Sequence, residues 1–383
     1  MEKFAKSSNK FGLELFKKVS EKQKENVVVS PASVSTALTM TWGGAKNETA
    51  AQMKKVLAFD GEPAAIMETS GKLAASLTSP SRSVVFRIAN QLFGEKTYTF
   101  DAEYLTRTEK SFGAPIERVD FIKDSEPARV HINGWVEGKT EKRIKDLIPA
   151  RGVDGDTRLV LVNAIYFLGD WAEPFDKDAT RALPFHTSKS KSIDVPTMNR
   201  TGSFKIAAKD GVTALELPYK GGDMSMMLIL PDAVDGLPAA QKALTADSLA
   251  GLASAMKPER VWASIPKFEV NPKESVPLKE VLSALGMPIA FDREKADFTG
   301  IANPPEKAER LVISQVFHKA FIKVDEKGTE AAAATSVNMA RAGAAPAKPR
   351  EFKADRPFLF VIRDNASGLV LFMGRVTNPT TSG

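Results

Sequence analysis

One stretch limits what this chain can fold into. Between the apolar runs Leu311–Lys323 and Phe358–Ile362 the sequence reads Val324-Asp325-Glu326-Lys327-Gly328-Thr329-Glu330-Ala331-Ala332-Ala333-Ala334-Thr335-Ser336-Val337. Small residues follow, then Pro346, Lys348 and Pro349. A connection of about 20 residues without its own structure is uncommon inside a compact domain and is usually functional or disordered. Written as a strand, its side chains would sort onto two faces. Thr329, Ala331, Ala333 and Thr335 share one face, which is small and uncharged and could enter a core. Glu330, Ala332, Ala334 and Ser336 share the other, and Glu330 is expected to face water, because burying an unpaired charge is costly. Gly328 is expected at a hinge, where glycine tolerates backbone angles that other residues resist. Composition alone also permits a flexible linker or an alanine-rich helix.

The rest of the chain narrows the choice. Leu311–Lys323 reads as a buried strand, and Phe358–Ile362 with Gly368–Gly374 reads as a hairpin. Phe4, Phe11, Leu15 and Phe16 recur at helical spacing. Asn26-Val27-Val28-Val29-Ser30-Pro31 reads as a short strand stopped by proline, with Ser33 at the following helix start. Helices are expected at Gln52–Leu57, around Ile132–Val136 and at Leu278–Leu285. Strands are expected at Val84–Phe93, Leu159–Tyr166, Thr213–Leu217, Met224–Leu230 and Val261–Pro266.

Glu326-Lys327-Gly328-Thr329-Glu330, followed by four alanines and a threonine, resembles the hinge of the serpins. Further stretches are similar to that family in the same order. They are Ser30–Met40 with Gly43-Gly44-Ala45, Asn163-Ala164-Ile165-Tyr166-Phe167 with Trp171, Arg356-Pro357-Phe358, and Leu371-Phe372-Met373-Gly374-Arg375-Val376. The resemblance covers essentially the whole chain. It implies an α+β fold with a large central, mostly antiparallel sheet, two further sheets, about nine helices and an exposed reactive-centre loop. Residues 1–383 would form one domain, with the loop at about 326–350.

The resemblance also implies roles. The hinge would comprise Glu326, Gly328, Thr329, Glu330, Ala331, Ala332, Ala333 and Ala334. Trp171, Lys267 and Glu326 would lie in the breach, where the loop first enters the sheet, with Lys267 and Glu326 acting as a latch. Ser30, Ser33, Asn163 and His318 would form a shutter holding the sheet closed. The bond cut would be Ala342–Gly343, which suits an elastase-like or subtilisin-like serine protease; a register shorter by one gives Arg341–Ala342 and a trypsin-like target. The implied function is suicide inhibition by cleavage, acyl-enzyme trapping and hinge insertion. The alternative is a non-inhibitory serpin acting as a binding or storage protein, whose hinge would be expected to carry bulky, charged or proline residues.

Composition sets outer bounds. The 53 Lys and Arg exceed the 47 Asp and Glu by six, and no run interleaves basic residues with aromatics as a nucleic-acid surface would. No dense basic cluster occupies the segment around Ser79–Ser83, so activation by glycosaminoglycan is not expected. There is no cysteine, hence no disulfide or thiolate chemistry. No run of about 20 apolar residues is present, so no membrane partner is expected. Met1–Lys10 is polar, which fits either an intracellular chain or a secreted one shown without its leader. No enzyme motif stands out. Ser188 and Lys191 meet a Ser-x-x-Lys spacing within a stretch expected to be a solvated loop, and His131, His186 and His318 lack metal-ligand spacing. No cofactor or metal is implied, and the chain is expected to be a monomer.

Overall fold

The computed structural model describes residues 1–113, 115–330 and 348–381. Among these lie nine α-helices: α1 Glu2–Glu21, α2 Pro31–Trp42, α3 Asn47–Val56, α4 Pro63–Leu77, α5 Ala102–Phe112, α6 Phe121–Lys139, α7 Leu237–Ala243, α8 Ala246–Ala255 and α9 Lys279–Leu285. The strands are β1 Val27–Val29, β2 Val85–Glu95, β3 Glu117–Val119, β4 Leu159–Asp170, β5 Arg181–Ser188, β6 Lys191–Lys209, β7 Val212–Pro218, β8 Met224–Pro231, β9 Lys257–Pro266, β10 Phe268–Val270, β11 Val276–Pro277, β12 Val316–Ala320, β13 Ile322–Val324, β14 Gly328–Thr329, β15 Arg350–Lys353, β16 Phe358–Asp364 and β17 Val370–Val376.

An eight-stranded sheet runs β10-β13-β14-β4-β12-β11, with β2 on the other edge of β4 and β3 beyond β2. Its pairings are antiparallel except β4 with β12 and β2 with β3. The remaining nine strands form a second hydrogen-bonded network. The two further sheets expected from the sequence are continuous within it because β6 is 19 residues long. Its first part pairs with β5 and its last with β7, while β9 spans the middle.

Alternation along β4 decides what each face of the eight-stranded sheet meets. Leu161, Ile165 and Phe167 point into the main core, which α1 and α2 also line. Val160, Val162 and Ala164 point the other way, into a smaller core with Ile132 and Val136 of α6. Asn163 and Thr329 are therefore on the main-core side.

Two local expectations change. The helix after β1 is capped by Ser30, whose Oγ accepts from Ser33 N at 3.3 Å, with Pro31 in the first helical position. Ser33 thus sits one turn inside; proline has no N–H to lose at that first position. The run Leu311–Lys323 is not one strand. It becomes strand only at Val316 and breaks at Phe321, because β12 pairs with β4 whereas β13 pairs with β10 and β14.

Candidate functional site

The seam between β4 and the β12–β13 strands has two different ends. At the lower end β4 and β12 pair directly, from Leu161 opposite Val316 to Ile165 opposite Ala320. At the upper end β14 is wedged between β4 and β13, with Gly328 opposite Asp170, and Thr329 opposite both Gly169 and Val324. Gly328 is needed there for space: a Cβ would lie 2.0 Å from the carbonyl oxygen of Gly169. The left-handed backbone falls instead at Glu330, with φ of 53°. The backbone-angle reason expected for Gly328 therefore applies to Glu330, and Gly328 serves close approach between strands.

Trp171, Lys267 and Glu326 come together at the upper end. Trp171 donates from its backbone N to Lys327 O at 2.7 Å and from Nε1 to Asp325 O at 3.0 Å. Its ring stacks on Tyr219 at 4.7 Å between centroids. Tyr219 in turn shares a 2.6 Å hydrogen bond with Thr329 Oγ1, which is fully buried. Lys267 Nζ donates to Glu326 Oε1 and Oε2 at 3.1 and 2.9 Å, and Thr180 Oγ1 donates to Oε1 at 2.9 Å. Burial pushes the Glu326 carboxyl up, but these donors outweigh it and hold the group below its ordinary pKa. Tyr219 and Thr180 were not anticipated from the sequence, since only folding brings them to the hinge.

Glu330 departs from expectation. It does lie on the face opposite Thr329, but that face is covered, and the residue is 7% exposed. The Arg143 guanidinium packs against its Oε1 as an ion pair. The contact lacks hydrogen-bond alignment, so neither carboxylate oxygen accepts a well-directed bond. Burial dominates and pushes the Glu330 carboxyl up to about 7, with Arg143, Lys323 and Tyr166 pulling it back and Glu269 adding to the rise.

The lower end gathers Ser30, Ser33, Asn163 and His318. Asn90, Asn163 and His318 stand opposite one another on β2, β4 and β12. His318 Nδ1 is 2.8 Å from Asn163 Oδ1, and His318 Nε2 accepts from Ser30 N at 3.1 Å. Nε2 must then be unprotonated and Nδ1 must carry the proton, so the ring is neutral. Burial agrees, pushing its pKa down to about 4. Asn163 Nδ2 donates to Ser33 Oγ and to Asn90 Oδ1, and Ser30 Oγ donates to Leu371 O at 2.5 Å. Asn90 is the member the sequence did not reveal. Ser188 and Lys191 are exposed as expected, but they pair at the ends of β5 and β6 rather than lying in a loop. Ala331, Ala332, Ala333, Ala334, Arg341, Ala342 and Gly343 lie outside the described residues. No cluster of potential metal ligands occurs among the described residues.

The family described as "Serpin (serine protease inhibitor)" matches residues 6–379. The chain belongs to the serpin family. It is 39% identical to Serpin B3 of Homo sapiens over 399 residues, covering 99% of this chain and 100% of that one. It is 38% identical to the leukocyte elastase inhibitor of Homo sapiens over 398 residues, with the same coverage. Among solved structures, uncleaved ovalbumin superimposes with a TM-score of 0.88 at 32% identity, covering 98% of this serpin and 100% of ovalbumin. The family and these relatives support protease inhibition as the class of function, with a protease as partner.

Proposed function

We propose that this serpin is a suicide substrate of a serine protease, with residues 1–383 acting as one domain. The observation that carries this reading is β14: two hinge residues already occupy the top of the seam, antiparallel to both neighbouring strands. Continued in the same register, residue 335 would stand opposite both Asn163 and His318, which face each other across the closed seam. Insertion as a strand therefore requires the His318–Asn163 bond to open, and the polar cluster acts as the shutter. The breach latch is Lys267–Glu326, which fixes the turn before Gly328. Thr329, Ala331, Ala333 and Thr335 would fall on the main-core face, where small side chains fit.

The protease attacks the loop with its own serine and forms the acyl-enzyme by ordinary nucleophilic catalysis. Fourteen inserted residues span about 46 Å, enough to carry the attached enzyme far from where it bound. Misplacing its catalytic groups by about 1 Å costs about 10²-fold in rate, which stalls deacylation. Ala342–Gly343 is the bond assigned to the cut, so an elastase-like or subtilisin-like enzyme with a small specificity pocket is the proposed partner. The names of the relatives support the elastase-like choice. Arg341–Ala342 and a trypsin-like enzyme are the alternative register.

Incubation with elastase, subtilisin and trypsin in turn, followed by denaturing electrophoresis and mass spectrometry, tests this. The expected result is a denaturation-resistant complex with elastase or subtilisin and a released peptide beginning at Gly343. Thr329→Arg should abolish trapping while leaving cleavage intact. Thr329 is already buried at the top of the seam, so an arginine there would put an unpaired charge in the sheet at a cost of several kcal/mol, expel β14 and deny insertion its starting point. Undiminished complex with that variant would sink the insertion mechanism. Cleavage by every protease without complex would favour a binding or storage role.

A further inference from the structure

We propose that the cleft beside the hinge binds a compact multivalent oxyanion of the tripolyphosphate class. The cleft has a volume of about 410 Å³, within the range of small-ligand sites. Six basic side chains line it: Lys142, Arg143 and Lys145 from the connection after α6, Lys273 from the turn between β10 and β11, Lys319 from β12 and Lys323 from β13. Glu269 is the one carboxylate in the lining. Arg143 pairs with Glu330 at the hinge, and the other five form no ion pair with a described residue.

Lys319 makes the strongest case for an anion. It is 6% exposed, and its Nζ donates to the carbonyl oxygens of Lys145 and Lys273 at 3.1 and 3.0 Å. Carbonyls satisfy part of an ammonium's hydrogen bonding but leave its charge uncompensated, and a buried charge without a counter-charge is expensive. Asp146 attracts it only through space. The chain cannot supply the missing anion from its own loop, because residues 331–347 contain no Asp or Glu. The display is also held in place at some cost. Glu141, Lys142 and Asp146 all adopt left-handed backbone angles, which side-chain-bearing residues disfavour. Arg143, between them, lies over the Phe321 ring at 5.8 Å. A planar guanidinium fixed in this way suits two phosphate oxygens at once. Lys319 sits at the base, so a ligand must be small enough to enter; a long polymer would meet only the exposed lysines.

The occupant would compete with Glu330 for Arg143. Anion binding and the hinge contact are then coupled through one side chain, whether or not the chain inhibits a protease.

Titration calorimetry of the intact chain with sodium tripolyphosphate at low salt tests the site. One saturable site per chain is expected. The pair Lys142→Gln and Lys323→Gln, both exposed in the parent, should weaken Kd about tenfold or more through loss of charge-assisted hydrogen bonds. Lys189→Gln with Lys191→Gln, on the exposed β5–β6 hairpin, should leave Kd unchanged. Orthophosphate should bind about tenfold or more weakly than tripolyphosphate. Glu330→Gln should tighten binding severalfold by freeing Arg143. Absence of saturable binding, or equal losses in the cleft and hairpin pairs, would mean only diffuse attraction and would overturn the site. An unchanged Kd in Glu330→Gln would overturn the competition alone.

Discussion

The two ends of the β4–β12/β13 seam are built from different chemistry. The lower end is closed by neutral groups with directed hydrogen bonds, in which His318, Asn163, Ser30 and Ser33 each have a partner. The upper end adds charge to its neutral contacts: besides the Trp171 and Tyr219 hydrogen bonds it carries Lys267 on Glu326 and Arg143 on Glu330, around a two-residue strand. Buried neutral hydrogen bonds are specific about geometry and are costly to break singly. Arg143 and Lys267 are the exposed partners of buried carboxylates, so another cation or water can partly replace them, whereas an ionised carboxylate left alone there is costly. The seam is thus firm where β4 and β12 touch and more adjustable around β14.

The largest expected effect comes from breaking the lower end. His318→Ala would leave Ser30 N and Asn163 Oδ1 without partners and open a cavity under β12. The expected loss is about 3–4 kcal/mol of stability, read from urea unfolding of the uncleaved protein. A loss below about 1 kcal/mol would show that water replaces the ring and that the cluster does not hold the seam.

The pH dependence sharpens the contrast, because the two ends have opposite signs. His318 has a folded pKa of about 4 against 6.5 when unfolded. Its contribution is complete above 6.5 and is lost as pH falls toward 4, by up to about 3 kcal/mol. Glu330 has a folded pKa of about 7 against 4.5. The folded state then binds more protons, so stability is lost as pH rises from 4.5 to 7, by about 2–3 kcal/mol. The windows overlap, and in the parent these two slopes largely cancel. Glu330→Gln should expose the histidine slope, gaining about 2 kcal/mol over the parent at pH 7.5 and nothing at pH 4. Equal gains at both pH values would show that the Glu330 carboxyl has the same pKa folded and unfolded, with Arg143 offsetting its burial. Across the same range His318→Ala should show the reverse slope.

How much of this was legible in the sequence follows the same division. The elements were readable because hydrophobic periodicity survives in single segments, as in the hairpin of β16 and β17. Ser33, Asn163, His318 and Trp171 were nameable by resemblance, being embedded in motifs several residues long. Asn90 and Tyr219 were not, because their importance comes from facing Asn163 and Thr329 across strands distant in sequence. The covered position of Glu330 was also hidden: alternation gave its face correctly, but only the connection after α6 determines that Arg143 closes over it. The basic cleft escaped for the same reason. Its six cations come from three separate stretches, and even the densest, Lys142-Arg143-Ile144-Lys145, meets Lys273, Lys319 and Lys323 only through folding.

The smallest effect is expected at the latch. Lys267 is 37% exposed in its side chain and Glu326 only 6%. Lys267→Ala removes an ammonium that water can partly replace, while Thr180 still donates to Glu326. The cost should be about 1 kcal/mol, above that of a typical surface pair and well below that of a fully buried one. It should also depend on pH. The Glu326 carboxyl is held below its ordinary pKa, so its pairing is present above about 4.5 and fades as pH falls and the carboxyl protonates. A double-mutant cycle with Glu326→Gln should return a coupling of about 1 kcal/mol at pH 7 that shrinks as acid protonates the carboxyl. A coupling that does not change with pH would mean that Lys267 acts through packing against the turn before Gly328 rather than through charge. The upper end would then be held by neutral contacts alone, as the lower end is, and the contrast between them would disappear.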